Sequence, residues 1–231
     1  MTPPSSHRDL ALAPAPPHLA WLGTGKAHDK VLPAGVARAI LARPVLIEER
    51  ADGATIALSS DGDSVRVERR QQLLGPGAHP QFQTLWGWLA EREERLVRAL
   101  GPIVLLGEWC YATHGVRHDA LPDWFIASDV FDRATAKLWS VDRRNALCRE
   151  LELAVAPEVA RMKTDVGSLT ARLATSASLL GAGHPAGFMV RLEQDDHLVE
   201  RALILAPAAA DAPEEPSTRK TLGRNQLRDA P

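Results

Sequence analysis

Three short apolar runs separated by turn residues between Val45 and Val67 limit the fold of this chain more than any other feature. Val45-Leu46-Ile47 opens a strand, and Asp52-Gly53 signals a turn. Thr55-Ile56-Ala57-Leu58 reads as a second strand, followed by a turn at Asp61-Gly62-Asp63. Val65 and Val67 then alternate with Arg66 and Glu68, the pattern of a strand with one solvated face. The three runs predict an antiparallel meander, preceded by a short helix over residues 36–41 that Pro44 ends. From Gln81 the period lengthens. Phe82, Leu85, Trp86, Leu89, Leu96 and Leu100 fall at helical spacing and predict one long helix. Residues 103–106 and 124–130 read as buried strands, 143–153 and 169–180 as helices, and 187–192 and 198–205 as closing strands. Strands and helices in separate runs predict an α+β fold, with a mainly antiparallel sheet flanked by helices.

The ends read differently. Residues 1–17 hold five prolines and little bulk, and the stretch 206–231 begins Ala-Pro-Ala-Ala-Ala-Asp-Ala-Pro. Neither offers enough apolar surface to order itself, so residues 18–205 are expected to form the folded body between two disordered tails. With 27 basic and 29 acidic residues, a strongly basic coat for nucleic acid is excluded, though a local basic groove is not. Of the 27 basic residues only five are lysines, Lys26, Lys30, Lys137, Lys163 and Lys220. Chemistry that needs a lysine amine therefore has few places to reside. Cys110 and Cys148 are too few for a disulfide framework and read as buried thiols. No apolar run reaches membrane-spanning length and no secretion signal opens the chain, so a cytoplasmic location and no membrane partner are expected.

Familiar motifs fail on inspection. Gly23-Thr24-Gly25-Lys26 lacks the first glycine, the hydroxyl after the lysine and the preceding strand of a phosphate loop. His114 and His118 stand four apart, but Gly115 and Leu121-Pro122 make their segment a loop, and no third ligand suggests itself; no metal site is expected from them.

A set of segments in fixed order is more specific. Glu48-Glu49-Arg50-Ala51-Asp52-Gly53 ends the first strand, and Arg66-Val67-Glu68-Arg69-Arg70-Gln71 ends the third. Gly107-Glu108-Trp109-Cys110-Tyr111 follows the helical region, then Asp123-Trp124-Phe125-Ile126-Ala127-Ser128-Asp129. Ala186-Gly187-Phe188-Met189-Val190-Arg191 and Glu200-Arg201-Ala202-Leu203-Ile204-Leu205 close the body. Over residues 18–205 this resembles the ATP-dependent RNA ligase family, among the covalent nucleotidyltransferases. The resemblance implies a nucleotidyltransferase domain, ATP and Mg2+ as cofactors, RNA as substrate, and sealing of strands through a lysyl-AMP intermediate.

The same resemblance implies a degenerate member. The family's nucleophilic lysine falls on Arg50, and a guanidinium stays protonated and offers no lone pair. The polar amide five residues on falls on Thr55, the adenine-stacking aromatic on Ser128, the fourth-motif carboxylate on Ala186, and the last motif's phosphate-binding lysines on Leu203 and Leu205. Arg70, Glu108 and Arg191 match nucleotide-binding positions, and Asp129 stands where the family has it. Asp52 and Gly53 match the motif turn, and a plain hairpin turn explains them equally well. Two readings stay open. One is a homologue without ligase chemistry that binds nucleotide, RNA (weakly and salt-sensitively) or a partner RNA-repair protein. The other is an active nucleotidyltransferase with an atypical site.

Overall fold

The computed structural model describes residues 15–27, 30–213, 215–216 and 222–229. Two sheets face each other across a cleft. The first has four strands in the order β11-β10-β1-β9. They are β1 (Val45–Glu49), β9 (Glu158–Met162), β10 (Gly187–Gln194) and β11 (His197–Leu205), and every neighbouring pair is antiparallel. The second has seven strands. Its path runs β4 (Gln72–Leu73), β3 (Val65–Arg69), β2 (Ala54–Ser60), β5 (Ile103–Trp109), β6 (Phe125–Asp132) and β7 (Lys137–Leu138), and β8 (Ala154–Val155) pairs with β6 in parallel. The α+β class and the mainly antiparallel sheet hold.

The meander does not survive as drawn. β2 and β3 form a hairpin, but β1 pairs with β9 and β10 in the other sheet. The turn between β1 and β2 therefore carries the chain from one sheet to the other and is not a hairpin. Gly53 is required there for close approach: a Cβ would lie 2.7 Å from the Trp109 carbonyl oxygen. The single long helix is also broken. A 3-10 turn (Pro80–Phe82) precedes α2 (Leu85–Ala90) and α3 (Glu93–Ala99), divided at Glu91-Arg92. α1 (Ala34–Leu41), α4 (Val141–Glu150) and α5 (Val166–Thr175) fall near the expected helices, and β9 went unforeseen.

Each sheet buries its outer face under helices. Ile56, Leu58, Leu105, Phe125 and Trp109 pack with Leu85, Leu89 and Leu96 of α2 and α3. Val45, Ile47, Phe188, Val190 and Ile204 pack with Ile40 and Leu41 of α1 and Leu169 and Leu173 of α5. Side chains alternate along a strand, so the residues between these face the cleft. From the four-stranded sheet these include Leu46, Glu48, Met189, Arg191, Arg201 and Leu203. From the larger one they include Thr55, Ala57, Val104, Leu106 and Glu108.

The stretch from Ala206, expected to be disordered, carries α6 (Pro207–Ala210) and a return segment over residues 222–229. Hydrogen bonds hold residues 222–229 in place. The Asn225 amide is buried, donates to the Cys110 and Ala112 carbonyls (2.8 and 3.1 Å), and accepts from the His118 amide and the Thr113 hydroxyl (2.9 and 3.0 Å). At the other end Pro17 and Leu19 bond to Leu203 and extend the sheet beyond β11. Residues 1–14 of the predicted N-terminal tail lie outside the described residues.

Candidate active site

Arg50 leaves the end of β1 on the cleft side, in phase with Leu46 and Glu48. Its Nη2 donates to Glu108 Oε1 at 3.1 Å, and its Nη1 lies 3.8 Å from Asp52 Oδ1. Thr55 Oγ1 donates to the same Glu108 oxygen at 2.9 Å. The register explains the grouping, since Thr55 of β2 stands opposite Glu108 of β5. The second oxygen, Glu108 Oε2, is buried without a hydrogen-bond partner. Burial pushes the Glu108 carboxyl up to about 7, against the pull of Arg50 and Thr55. Burial also opposes the charge on Arg50, but Glu108 and Asp52 outweigh it and raise its pKa above the ordinary arginine value.

Asp52 is fixed by a loop. Its Oδ2 accepts from the Gly115 and Val116 amides, both at 2.8 Å, and its own amide donates to His118 Nε2 at 2.9 Å. That bond requires a lone pair on Nε2, and burial lowers the His118 pKa accordingly. His118 was singled out in the sequence only as a metal-ligand partner for His114; its part here is to orient Asp52.

Deeper in the cleft stands a buried charge network. Glu48 accepts from Arg144 Nη2 and Arg191 Nε, each at 2.5 Å. Asp129 accepts from Arg191 Nη1 and Arg201 Nη1, again at 2.5 Å. Glu48, Asp129, Arg144 and Arg191 are all buried. Burial would raise the Asp129 pKa, but Arg191 and Arg201 overcome it and hold the group well below the usual carboxylate range. The network joins β1, β10 and β11 of one sheet to β6 of the other, with α4 supplying Arg144.

The predicted nucleotide-binding residues therefore divide. Arg50, Asp52 and Glu108 come together. Arg191 lies in the network, its guanidinium spent on Glu48, Asp129 and the Ser128 carbonyl. Ser128 sits where the β5–β6 register slips, opposite neither Leu106 nor Gly107. This bulge turns its carbonyl to Arg144 at 2.6 Å, while its hydroxyl donates to the Leu106 carbonyl at 3.3 Å. Arg70 is exposed in the turn after β3, at a positive φ of 51°. Arg66 pairs with Asp61 on an exposed turn. Ala186 and Leu203 are buried, and Leu205 is half-buried.

Glu48, Arg144, Arg201 and Asn225 were missed. Arg144 had a signal: it occupies the same helical stripe as Val141 and Cys148, where a charge must be paired.

The donor set fits a divalent cation poorly. A guanidinium stands between the two carboxylates a divalent cation would seek, and among the described residues no three His, Cys, Asp or Glu side chains cluster as metal ligands. Two surface clefts, of about 210 and 370 Å³, lie elsewhere, one beside Glu49 and Phe188, the other beside Lys137 and His197.

Comparison with known proteins agrees with this architecture. The family model described as RNA ligase matches residues 43–200. Among solved structures, Naegleria gruberi RNA ligase with PPi superposes with a TM-score of 0.60 at 15% identity, covering 90% of this chain and 62% of that one. A lysine-to-alanine mutant of the same ligase with ATP and Mn gives 0.53 at 14% identity, covering 74% and 52%. A lysine-to-methionine mutant with AMP and Mn gives 0.54 at 14%, covering 75% and 52%. The chain thus spans little more than half the length of these solved proteins. No curated protein matches it by sequence.

Proposed function

The chain belongs to the RNA ligase family, and from that premise we propose that it is a member without lysyl-AMP chemistry, acting by binding RNA. The observation that supports this most is the guanidinium of Arg50 at the family's lysine position, paired to Glu108 at 3.1 Å and facing Asp52. An arginine so placed stays charged at any working pH and cannot attack a phosphorus atom. Leu203 and Leu205 remove the cations that would stabilise a departing pyrophosphate. The Naegleria ligase was solved with ATP and Mn; in this chain the same ligands meet a poorer donor set, and ATP affinity should be millimolar or weaker.

Binding to RNA needs less than catalysis does. Arg69 and Arg70 lie at the end of β3 beside His79, and arginine pairs bidentately with phosphate. Contact should be local and salt-sensitive, as the chain's near-neutral charge requires. Such a protein would work beside an enzyme that performs the sealing step. No described helix is long and apolar enough to cross a membrane.

The test is intact-protein mass spectrometry after incubation with ATP and Mg2+. The expected spectrum is the unmodified chain. A mass increase of one AMP would overturn the proposal and return the chain to the active nucleotidyltransferases.

A further inference from the structure

Glu48 and Glu49 are neighbours in β1 and both are fully buried, yet only Glu48 has counter-ions. Glu49 points away from the Arg50 site, in phase with Val45 and Ile47 on the outer face of the smaller sheet. There its Oε1 accepts from the Ser178 hydroxyl at 2.5 Å and its Oε2 from the Leu179 amide at 2.7 Å. Both donors are neutral. They pull the Glu49 pKa down, burial pushes it up by more, and no cation takes part. A carboxylate accepts about four hydrogen bonds, so half of its acceptor capacity remains. Buried carboxylates are ordinarily paired with a cation.

Glu49 forms part of the wall of the outer cleft of about 210 Å³. Val159, Pro185 and Phe188 give this cleft apolar sides, and Leu179, 55% exposed, stands at its mouth. α5 ends beside it at Ser176, and the carbonyl end of a helix favours positive charge. Among the described residues no lysine, arginine or histidine lines it. Glu158 does, but Arg161 Nε already holds its carboxylate at 3.1 Å. The loop above Glu49 is fixed at two further points. The Ser178 amide donates to the Gly183 carbonyl and the Ala182 amide to Asp119 Oδ1, both at 2.8 Å. The cleft is therefore preformed.

We propose that this outer cleft binds a primary alkylammonium group, with Glu49 as its counter-ion and the apolar sides holding the alkyl stem. The volume limits the ligand. Clefts for drug-sized molecules run to roughly 300–1,000 Å³, so this one suits a group the size of a side chain. An ammonium donates three hydrogen bonds and accepts none, which matches a wall whose open groups are acceptors. Two sources carry such a group, a free polyamine and the lysine side chain of a partner protein, and the test separates them. Neither Arg50 nor the RNA reading enters the argument.

The test is an NMR titration of the nitrogen-labelled full chain, followed at the Leu179 amide because it bonds the carboxylate directly. 1-Butylamine should shift this signal saturably, and uncharged 1-butanol should not. Glu49→Gln keeps the size of the side chain and should weaken butylamine binding about tenfold or more, the usual worth of a hydrogen bond to a charged group. No saturable shift by butylamine, an equal shift by butanol, or equal amine affinity in wild type and Glu49→Gln overturns the proposal. Thermal melting shows whether Glu49→Gln folds. If it does not, Leu179→Lys, a change at an exposed position, puts a competing ammonium at the mouth and should weaken butylamine binding; unchanged affinity there overturns the proposal equally. Cadaverine and Nα-acetyl-lysine N-methylamide then separate the sources. Tighter binding of cadaverine assigns the cleft to a free polyamine, and tighter binding of the lysine derivative assigns it to a partner's side chain.

Discussion

Restoring the family's lysine alone, Arg50→Lys, should not restore self-adenylylation. The new amine would lie beside Glu108 and Asp52, whose charges already raise the pKa of the guanidinium in that place. An ordinary lysine with a pKa of about 10.4 is deprotonated in roughly one molecule per thousand at pH 7.5, a cost of about 4 kcal/mol before any upward shift. Leu203 and Leu205 supply none of the cationic stabilisation that the departing pyrophosphate needs. Losing one such group costs about 3–4 kcal/mol of barrier. The sum exceeds about 7 kcal/mol, or roughly a 10⁵-fold loss in rate. Ser128 adds a further loss, since no aromatic ring aligns the base for in-line attack. The assay is incubation of Arg50→Lys with α-labelled ATP and Mg2+, then denaturing electrophoresis. No labelled band is expected within hours. A strong band would show that the pocket around residue 50 is competent, and would refute the argument that erosion extends to Leu203 and Leu205.

Glu108 gives a pH prediction. Its carboxyl is raised from 4.5 to about 7 in the folded chain, so between those values the folded state holds more protons than the unfolded one. Stability should therefore fall as pH rises from 4.5 to 7, by about 3 kcal/mol in total, and Glu108→Gln should flatten that slope in denaturant titrations. Asp129 has the opposite sign. Its lowered pKa gives stability that is full above 3.8 and lost as pH falls through the folded value, so Asp129→Asn should flatten the acid limb while costing about 3–5 kcal/mol at neutral pH. Asn225→Ala should cost about 3 kcal/mol, because the Cys110 and Ala112 carbonyls and the His118 amide lose buried partners; urea unfolding reads this directly. RNA retention measured by filter binding should fall steeply between about 50 and 200 mM salt, and Arg70→Ala should reduce that slope.

Most strands could be read from the chain because short apolar or alternating runs stand between turn residues. Val45–Ile47, Thr55–Leu58 and Val65–Val67 all proved to be strands. Their partners could not be read: an isolated run of Val-Leu-Ile does not say whether its hydrogen bonds go to the next strand or to one formed by residues 187–194. β9 was hidden because Glu158–Met162 is an edge strand with one sustained apolar position, Val159, and no run to betray it. At the site, the order of segments singled out Arg50, Asp52 and Glu108, whose side chains the fold brings together. It did not show that Arg191 holds two carboxylates or that Ser128 sits at a bulge. A bulge is a property of two strands in register, and a buried ion pair of two distant positions, so neither is written in one local segment.

The placement of β1 bears on how the chain is made. The larger sheet draws its main strands from residues 54–132, so its hairpins can close soon after they leave the ribosome. β1 is made before any of them, yet its two partners are β9 and β10, of which β10 ends at Gln194. At roughly 5–20 residues per second, Val45, Leu46 and Ile47 wait about 7–30 s for a sheet to join. Through that interval an apolar strand with both edges open is exposed to other nascent chains. A chaperone that shields residues 45–49 until residue 194 emerges would raise the yield of folded protein more than one that acts on the larger sheet.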